Sequence, residues 1–362
     1  MPFEIEFLPV GEGNGDAICV RYSTNGSDFV IHVVDAGYVN TGQTVVDHIK
    51  KYYDEPDFID HLVVTHPDRD HLGGVKTVLE NFDVGSLRMN RPWLYAEQVL
   101  DNFHGRYTLQ GLENALREAF PVLAELERTA LQRGVKIDEA FAGHDIGAFK
   151  VLAPLKDRYL ASISEFDQTP TSYQDVQSQG ILAMASQAGR RFVEKAKQFF
   201  SETWNEEKLE ENPDPTSTLN ETSIVQYAII DDRAVLLTAD SGPIGLNEAA
   251  GVAEYLNIKR PLNFIQIPHH GSRRNVTPSV LDQWLGEMVE QGTHRGSSFC
   301  SVTFENQTMF SFQCLKARTK KMAGSGFSVQ IWHKIGTTTN IISGKVLFLF
   351  VKMETDSALL RE

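Results

Sequence analysis

From Thr65 to Gly74 the chain reads Thr-His-Pro-Asp-Arg-Asp-His-Leu-Gly-Gly, and His66, Asp68, Asp70 and His71 can each bind a divalent cation. Imidazole nitrogens and carboxylate oxygens at this density suit a metal centre. Such a centre needs a rigid base. The apolar run Leu62-Val63-Val64 reads as a buried strand that points His66 and Asp68 the same way before the chain turns. Gly73-Gly74 lets the backbone turn sharply before a helix starting near Val75. The competing reading is a solvated polar turn, but a turn rarely needs two histidines and two aspartates in this register.

His66-x-Asp68-x-Asp70-His71 resembles the first metal motif of the metallo-β-lactamase superfamily, whose commoner form is His-x-His-x-Asp-His. Aspartate at the second position resembles the branch containing the soluble domain of the DNA-uptake proteins called ComEC. Further segments are similar to that branch, in order along the chain: Gly13-Asn14-Gly15-Asp16-Ala17, Val34-Asp35-Ala36-Gly37, Leu236-Leu237-Thr238-Ala239-Asp240 and Pro268-His269-His270-Gly271-Ser272. The resemblance implies an α/β fold, the four-layer αββα metallo-β-lactamase sandwich. It also implies two divalent metal ions, Zn2+ or Mn2+. His66 and Asp68 would serve one ion, Asp70 and His71 the other. Asp240 would bridge them, and His269 and His270 would supply a further imidazole. Asp35 and Asn220 would act as outer partners that orient the ligands.

Composition sets the frame. The 362 residues are 41% hydrophobic and 23% charged, ordinary values for a globular chain with a sizeable core. Cys19, Cys300 and Cys314 fit neither a disulfide framework nor a thiolate zinc site, which suggests reduced thiols and a cytoplasmic protein. The start, Met1-Pro2-Phe3-Glu4, lacks the basic and apolar stretches of a signal peptide, and no apolar run approaches a membrane span, so no membrane partner is expected. The net charge of −14 argues against a general nucleic-acid coat. It leaves room for a nuclease whose metals supply local positive charge, with Arg69 and Arg273 as candidate substrate-phosphate contacts.

The pattern predicts strands over 3–9, 17–22, 29–34, 58–65, 88–93, 234–238, 263–267 and 298–303, and the resemblance implies a further strand over 220–225. The pattern also predicts helices over 44–53, 75–82, 247–256 and 279–291, with a helical region over 95–133. Residues 1–362 read as one domain, with 157–215 as a helical insertion that ends at Asn212-Pro213-Asp214-Pro215. One departure stands out. The family usually shows a late His-Pro pair, whereas 305–328 contains no histidine and only His294 and His333 flank it. Completeness of the second metal site therefore stays open.

Phosphodiester hydrolysis of DNA or RNA by a metal-activated water is the leading expectation, with His66 and Asp70 as catalytic residues and Asp70 positioning the water. Alternatives are a hydrolase of small molecules (a cyclic nucleotide, a phosphocholine ester or a thioester) and a partner-binding protein with an incomplete metal site. A stand-alone nuclease would also fit an antiviral or toxic effector held inactive by a regulatory partner protein.

Overall fold

Alternation of apolar and polar residues builds the strands. In β1 (Phe3–Phe7) and β2 (Ala17–Ser23), Phe3, Ile5, Phe7, Ile18, Val20 and Tyr22 point to one side of the sheet. Ala17 and Cys19 point to the other. The remaining strands are β3 (Phe29–Ala36), β4 (Phe58–Val63), β5 (Asp83–Arg88), β6 (Ile137–Asp138), β7 (Asp145–Ile146), β8 (Phe149–Ala153), β9 (Val225–Ile230), β10 (Arg233–Leu237), β11 (Phe264–Gln266), β12 (His294–Arg295), β13 (Ser297–Phe299), β14 (Lys320–Lys321), β15 (Gln330–Ile331) and β16 (Leu349–Met353). This computed structural model describes residues 3–11, 14–23, 28–103, 105–169 and 209–286, and beyond these only the strand residues from β12 to β16.

One large sheet runs β15-β16-β1-β2-β3-β4-β5-β6 and a second β13-β11-β10-β9-β8-β7, while β12 and β14 pair in a separate two-stranded sheet. Three apolar layers fix the stacking. Between the sheets lie Val34, Val63, Phe149, Val235 and Phe264. Outside the first sheet, Val33 and Leu62 pack on the helices Thr41–Tyr52, Val75–Asn81 and Pro121–Gln132 through Val45, Ile49, Val78, Leu79 and Leu126. Outside the second, Tyr227 and Leu236 pack on Pro243–Tyr255 and Pro278–Leu285 through Leu246, Ala250, Leu281 and Trp284. Each such side chain contributes about 1.5–3 kcal/mol when fully buried. The result is a mixed α/β sandwich in the order helices, sheet, sheet, helices, consistent with the expected metallo-β-lactamase fold.

The parallel pairs decide where chemistry can sit. β3 and β4 pair in parallel in the first sheet, and β10 and β11 in the second. Asp35 lies at the end of β3 and His66 just after β4, while Asp240 and His269 follow β10 and β11. Carboxyl ends of parallel strands are the usual place for a ligand in open α/β sheets. The two halves of the chain deliver their acids and imidazoles to one edge.

Two strand expectations are corrected. The strand expected over 88–93 lies earlier, at Asp83–Arg88. There Val84, Ser86 and Leu87 turn inward beside β4, whereas Pro92 opens a short 3-10 turn. The segment 220–225 begins as a helical turn, Thr218–Glu221, capped by the Ser217 side chain, and the strand starts only at Val225. The helical region over 95–133 divides into Ala96–Val99, Leu109–Ala119 and Pro121–Gln132, with Pro121 starting the last helix. Of the 157–215 insertion, Lys156–Ser162 is helical and Leu209 packs into the second helical layer, and 170–208 lies outside the described residues. Among the described residues no helix is long and apolar enough to cross a membrane.

Candidate metal centre

His66, His71 and Asp240 form the floor, with side chains 1%, 0% and 3% exposed. Asp68, Asp70 and His269 form the rim, at 35%, 26% and 34%. Asp240 faces both ways. Its Oδ2 lies 3.9 Å from His66 Nε2 and 3.5 Å from His269 Nε2, while Oδ1 lies 3.3 Å from His71 Nε2 and 3.5 Å from His270 Nε2. Asp68 Oδ2 adds to the first group, 3.5 Å from His66 Nε2. Asp70 Oδ2 adds to the second, 4.0 Å from His71 Nε2 and 3.6 Å from His270 Nε2. The structure therefore brings together all seven residues expected to bind metal.

The chemistry of this donor set fits divalent cations. His66 Nε2, His71 Nε2 and Asp240 Oδ1 are buried yet make no hydrogen bond, although buried polar atoms are nearly always paired. Ligand atoms of His66, His71 and Asp240 lie within 4.8 Å of one another, as do those of Asp70, His71 and His270, and of Asp16, Asp240 and His270. A cation between them would satisfy the atoms that the protein leaves unpaired.

Behind the floor, Asp35 sets the orientation. This wholly buried carboxylate accepts hydrogen bonds from the Thr65 backbone N–H at 2.8 Å, from Thr65 Oγ1 at 2.6 Å and from His71 Nδ1 at 2.8 Å. Thr65 gives its only hydroxyl proton to Asp35, so its oxygen receives the proton of His66 Nδ1, 3.1 Å away. Both imidazoles thus have Nδ1 engaged behind the floor and turn Nε2 toward the site. Asn220 lies beside His269, with Nδ2 3.2 Å from Thr216 Oγ1 and 3.4 Å from His269 Nδ1.

Charges in the site are strongly coupled. Burial opposes ionisation of Asp240, but the imidazoles of His270 and His71 outweigh it and hold its carboxyl well below the usual range. Burial likewise opposes protonation of His71, yet Asp240 and Asp35 raise its pKa well above that of an ordinary imidazole. His270 is raised, against burial, by Asp240, Asp70 and Asp16. Asp70 is lowered, against burial, by His270 and His71.

Backbone strain accompanies this arrangement. Asp35, Ala239, His269 and His270 have φ of 57°, 47°, 48° and 51°, a left-handed conformation that costs about 1–3 kcal/mol per non-glycine residue. The turn at Gly74 has a plain steric basis: a Cβ there would come within 2.2 Å of the Ala36 carbonyl oxygen and 2.6 Å of the Gly42 nitrogen.

Arg69 is exposed on the short helix Arg69–Leu72, and Arg273 is half-buried on the 3-10 turn Arg273–Asn275. Among the described residues Arg69 makes no ion pair with a site carboxylate. Three residues that the sequence reading did not assign also belong here. Asp16, wholly buried, has its Oδ2 2.7 Å from Gln266 Nε2 and its Oδ1 3.9 Å from His270 Nδ1. Gln266 Oε1 in turn accepts from the backbone N–H groups of Thr238 and Ala239, which fixes the loop bearing Asp240. Asn275 Oδ1 accepts from His269 Nδ1 at 2.8 Å. Asp16 had a signal in its Gly-Asn-Gly-Asp-Ala segment, whereas Gln266 and Asn275 had none. His104 and His333 lie outside the described residues, as does the side chain of His294.

Residues 10–144 match the model of the metallo-beta-lactamase superfamily, a segment that includes His66 to His71. This segment is thus similar to that superfamily, whose members are generally hydrolytic and typically bind divalent metals. No curated protein matches the chain. Solved structures similar to it include the CmlA beta-hydroxylase E377D mutant, 14% identical over 87% of this chain and 44% of that one, with a TM-score of 0.33. A long form RNase Z from yeast is 14% identical over 78% of this chain and 36% of its own, with a TM-score of 0.36. The metallo-beta-lactamase SMB-1 bound to 2-mercaptoethanesulfonate is 10% identical over 77% and 86%, with a TM-score of 0.30. The chain thus spans less than half the length of the first two.

Proposed function

We propose that this chain is a divalent-metal-dependent phosphodiesterase or nuclease. One observation carries the metal-dependent part: Asp240, from the second half, turns its two carboxylate oxygens toward imidazoles of the first half whose Nε2 atoms make no hydrogen bond. His66, Asp68, Asp70, His71, Asp240, His269 and His270 would hold the ions. Divalent cations bound there would supply a water of lowered pKa and positive charge to offset that developing on a phosphate. Phosphodiesters as substrate are supported by the ComEC-like aspartate at position 68, a hard oxygen donor suited to manganese as well as zinc.

The protein's own groups define the approach. Floor residues are sealed from solvent, so substrate and water enter over Asp68, Asp70 and His269. A carboxylate with a lowered pKa, such as Asp70, keeps its charge at neutral pH and orients a water by accepting its hydrogen bond. Arg69 and Arg273, on the two loops flanking the rim, would hold a neighbouring phosphate.

The net charge of −14 favours a second reading, a small phosphodiester or other compact substrate rather than a long polyanion. The test is incubation with plasmid, single-stranded DNA, RNA and bis-nitrophenyl phosphate in Mn2+, Zn2+ or EDTA, alongside Asp240→Asn. Polynucleotide cleavage lost in EDTA and in the variant supports the nuclease. Turnover of the small ester alone selects the second reading. Less than one bound ion per chain with no hydrolysis removes both.

A further inference from the structure

His269 is the most exposed imidazole of the cluster and sits on a strained turn, and its ring Nδ1 faces two asparagines. Asn220 presents Nδ2, a donor, 3.4 Å from His269 Nδ1. Asn275 presents Oδ1, an acceptor, at 2.8 Å. The orientation of the Asn275 amide is dictated from its other end. Nδ2 donates to the Asp240 carbonyl oxygen at 2.8 Å and lies 3.4 Å from both the Ser241 carbonyl and Thr216 Oγ1. Turning the amide round would set its oxygen against those two carbonyls, in a side chain that is wholly buried. Oδ1 must therefore face His269, and only a protonated Nδ1 can donate to it.

We propose that Asn275 is a positioning residue: it holds His269 in the Nδ1–H tautomer, directs the Nε2 lone pair at Asp240 and the metal-binding cleft, and ties the His269 turn to the Asp240 loop. The inference rests on the metal reading above for its consequence but not for its geometry. Asp35 and Thr65 hold the floor imidazoles in the same sense, and Asn275 extends that control to the rim with a neutral acceptor. An amide polarises imidazole less than a carboxylate does, which leaves His269 a weaker donor than His71.

The decisive test reads the tautomer in the metal-free full-length protein, by long-range nitrogen–proton NMR of the His269 ring. Wild type is expected to show Nδ1–H. Asn275→Ala, which removes the acceptor, should shift the ring toward Nε2–H or a mixture. Metal affinity is then measured by chelator competition. Asn275→Ala should weaken binding about 10–100-fold, and the loss should be smaller in a His269→Ala background, since part of it acts through the His269 interaction. Nε2–H in wild type, retention of Nδ1–H in Asn275→Ala, or an equal affinity loss with and without His269 overturns the proposal. If Asn275→Ala does not fold, the wild-type spectrum still decides, because its ring must carry the proton on Nδ1. A wild-type protein that binds no divalent ion refutes the metal reading instead, and leaves the NMR result to judge Asn275.

Discussion

Replacing Asp35 by asparagine should weaken divalent-metal binding without emptying the core. The variant keeps the volume but puts an N–H group where a carboxylate oxygen now receives the protons of Thr65 Oγ1 and His71 Nδ1. Facing a donor, His71 is driven to carry its proton on Nε2, the atom that should bind the cation. A hydrogen bond to a charged group is worth about 1.5–3 kcal/mol, which matches the roughly 10–100-fold affinity loss typical of outer partners. At an ion concentration of about 100 times Kd the wild type gains about 2.7 kcal/mol from binding. After a 100-fold weakening the same concentration gives only about 0.4 kcal/mol. At about 2 °C per kcal/mol for a chain this long, the metal-induced rise in Tm should fall from about 5 °C to under about 1 °C. Scanning fluorimetry with and without Zn2+ or Mn2+ reads that difference and is insensitive to any change in the metal-free baseline. A full metal-induced shift in Asp35→Asn would refute the tautomer argument.

Other perturbations separate the site from its scaffold. His32, wholly buried between the sheets 4.8 Å from the Phe149 ring, has its pKa lowered to about 3 by burial and by the neighbouring His61. Its unfolded value is about 6.5, so the unfolded chain takes up this proton first as pH falls, and stability is lost from about pH 6.5 down toward the folded pKa. His32→Phe should reduce the slope of unfolding free energy between pH 6 and 4 by up to about 1.4 kcal/mol per pH unit in denaturant titrations, and an unchanged slope contradicts the assignment. Gly74→Ala must push aside the Ala36 carbonyl and the Gly42 backbone, costing about 3 kcal/mol. A midpoint within error of wild type would show that the turn relaxes freely. Glu127 pairs with Arg91 at 2.9 Å and with Arg117, neither of them a candidate metal ligand. Glu127→Ala should lower stability by about 3 kcal/mol while metal affinity, followed by chelator competition, stays at the wild-type value.

Much of the centre could be read before any coordinates because its residues come in short contiguous runs at strand ends. Residues 66–71 and 269–270 announce themselves by type, and the apolar runs before them mark the supporting strands. What escaped was held by contacts far apart in the chain. Gln266 meets Asp16 from 250 residues away, and no local pattern encodes that bond. Asn275 is near His269 in sequence but sits in an arginine-bearing turn that looked like surface, while its side chain is buried against the Asp240 loop. β5 was misplaced because Asp83, Gly85 and Ser86 resemble a loop until pairing with β4 shows which of its residues turn inward. Propensity is local, whereas strand pairing and amide orientation are decided by distant partners.

The opening segment offers a practical lesson for anyone preparing the protein. Asp16 N–H bonds the Asp70 carbonyl at 3.1 Å and the Asp16 carbonyl receives Gly37 N–H at 2.7 Å. A Cβ at Gly15 would strike that same Asp70 carbonyl at 2.5 Å. The loop leading into β2 is therefore a splint for the turn that bears Asp70, and trimming the chain through it to aid crystallisation or expression would loosen a turn more than fifty residues downstream.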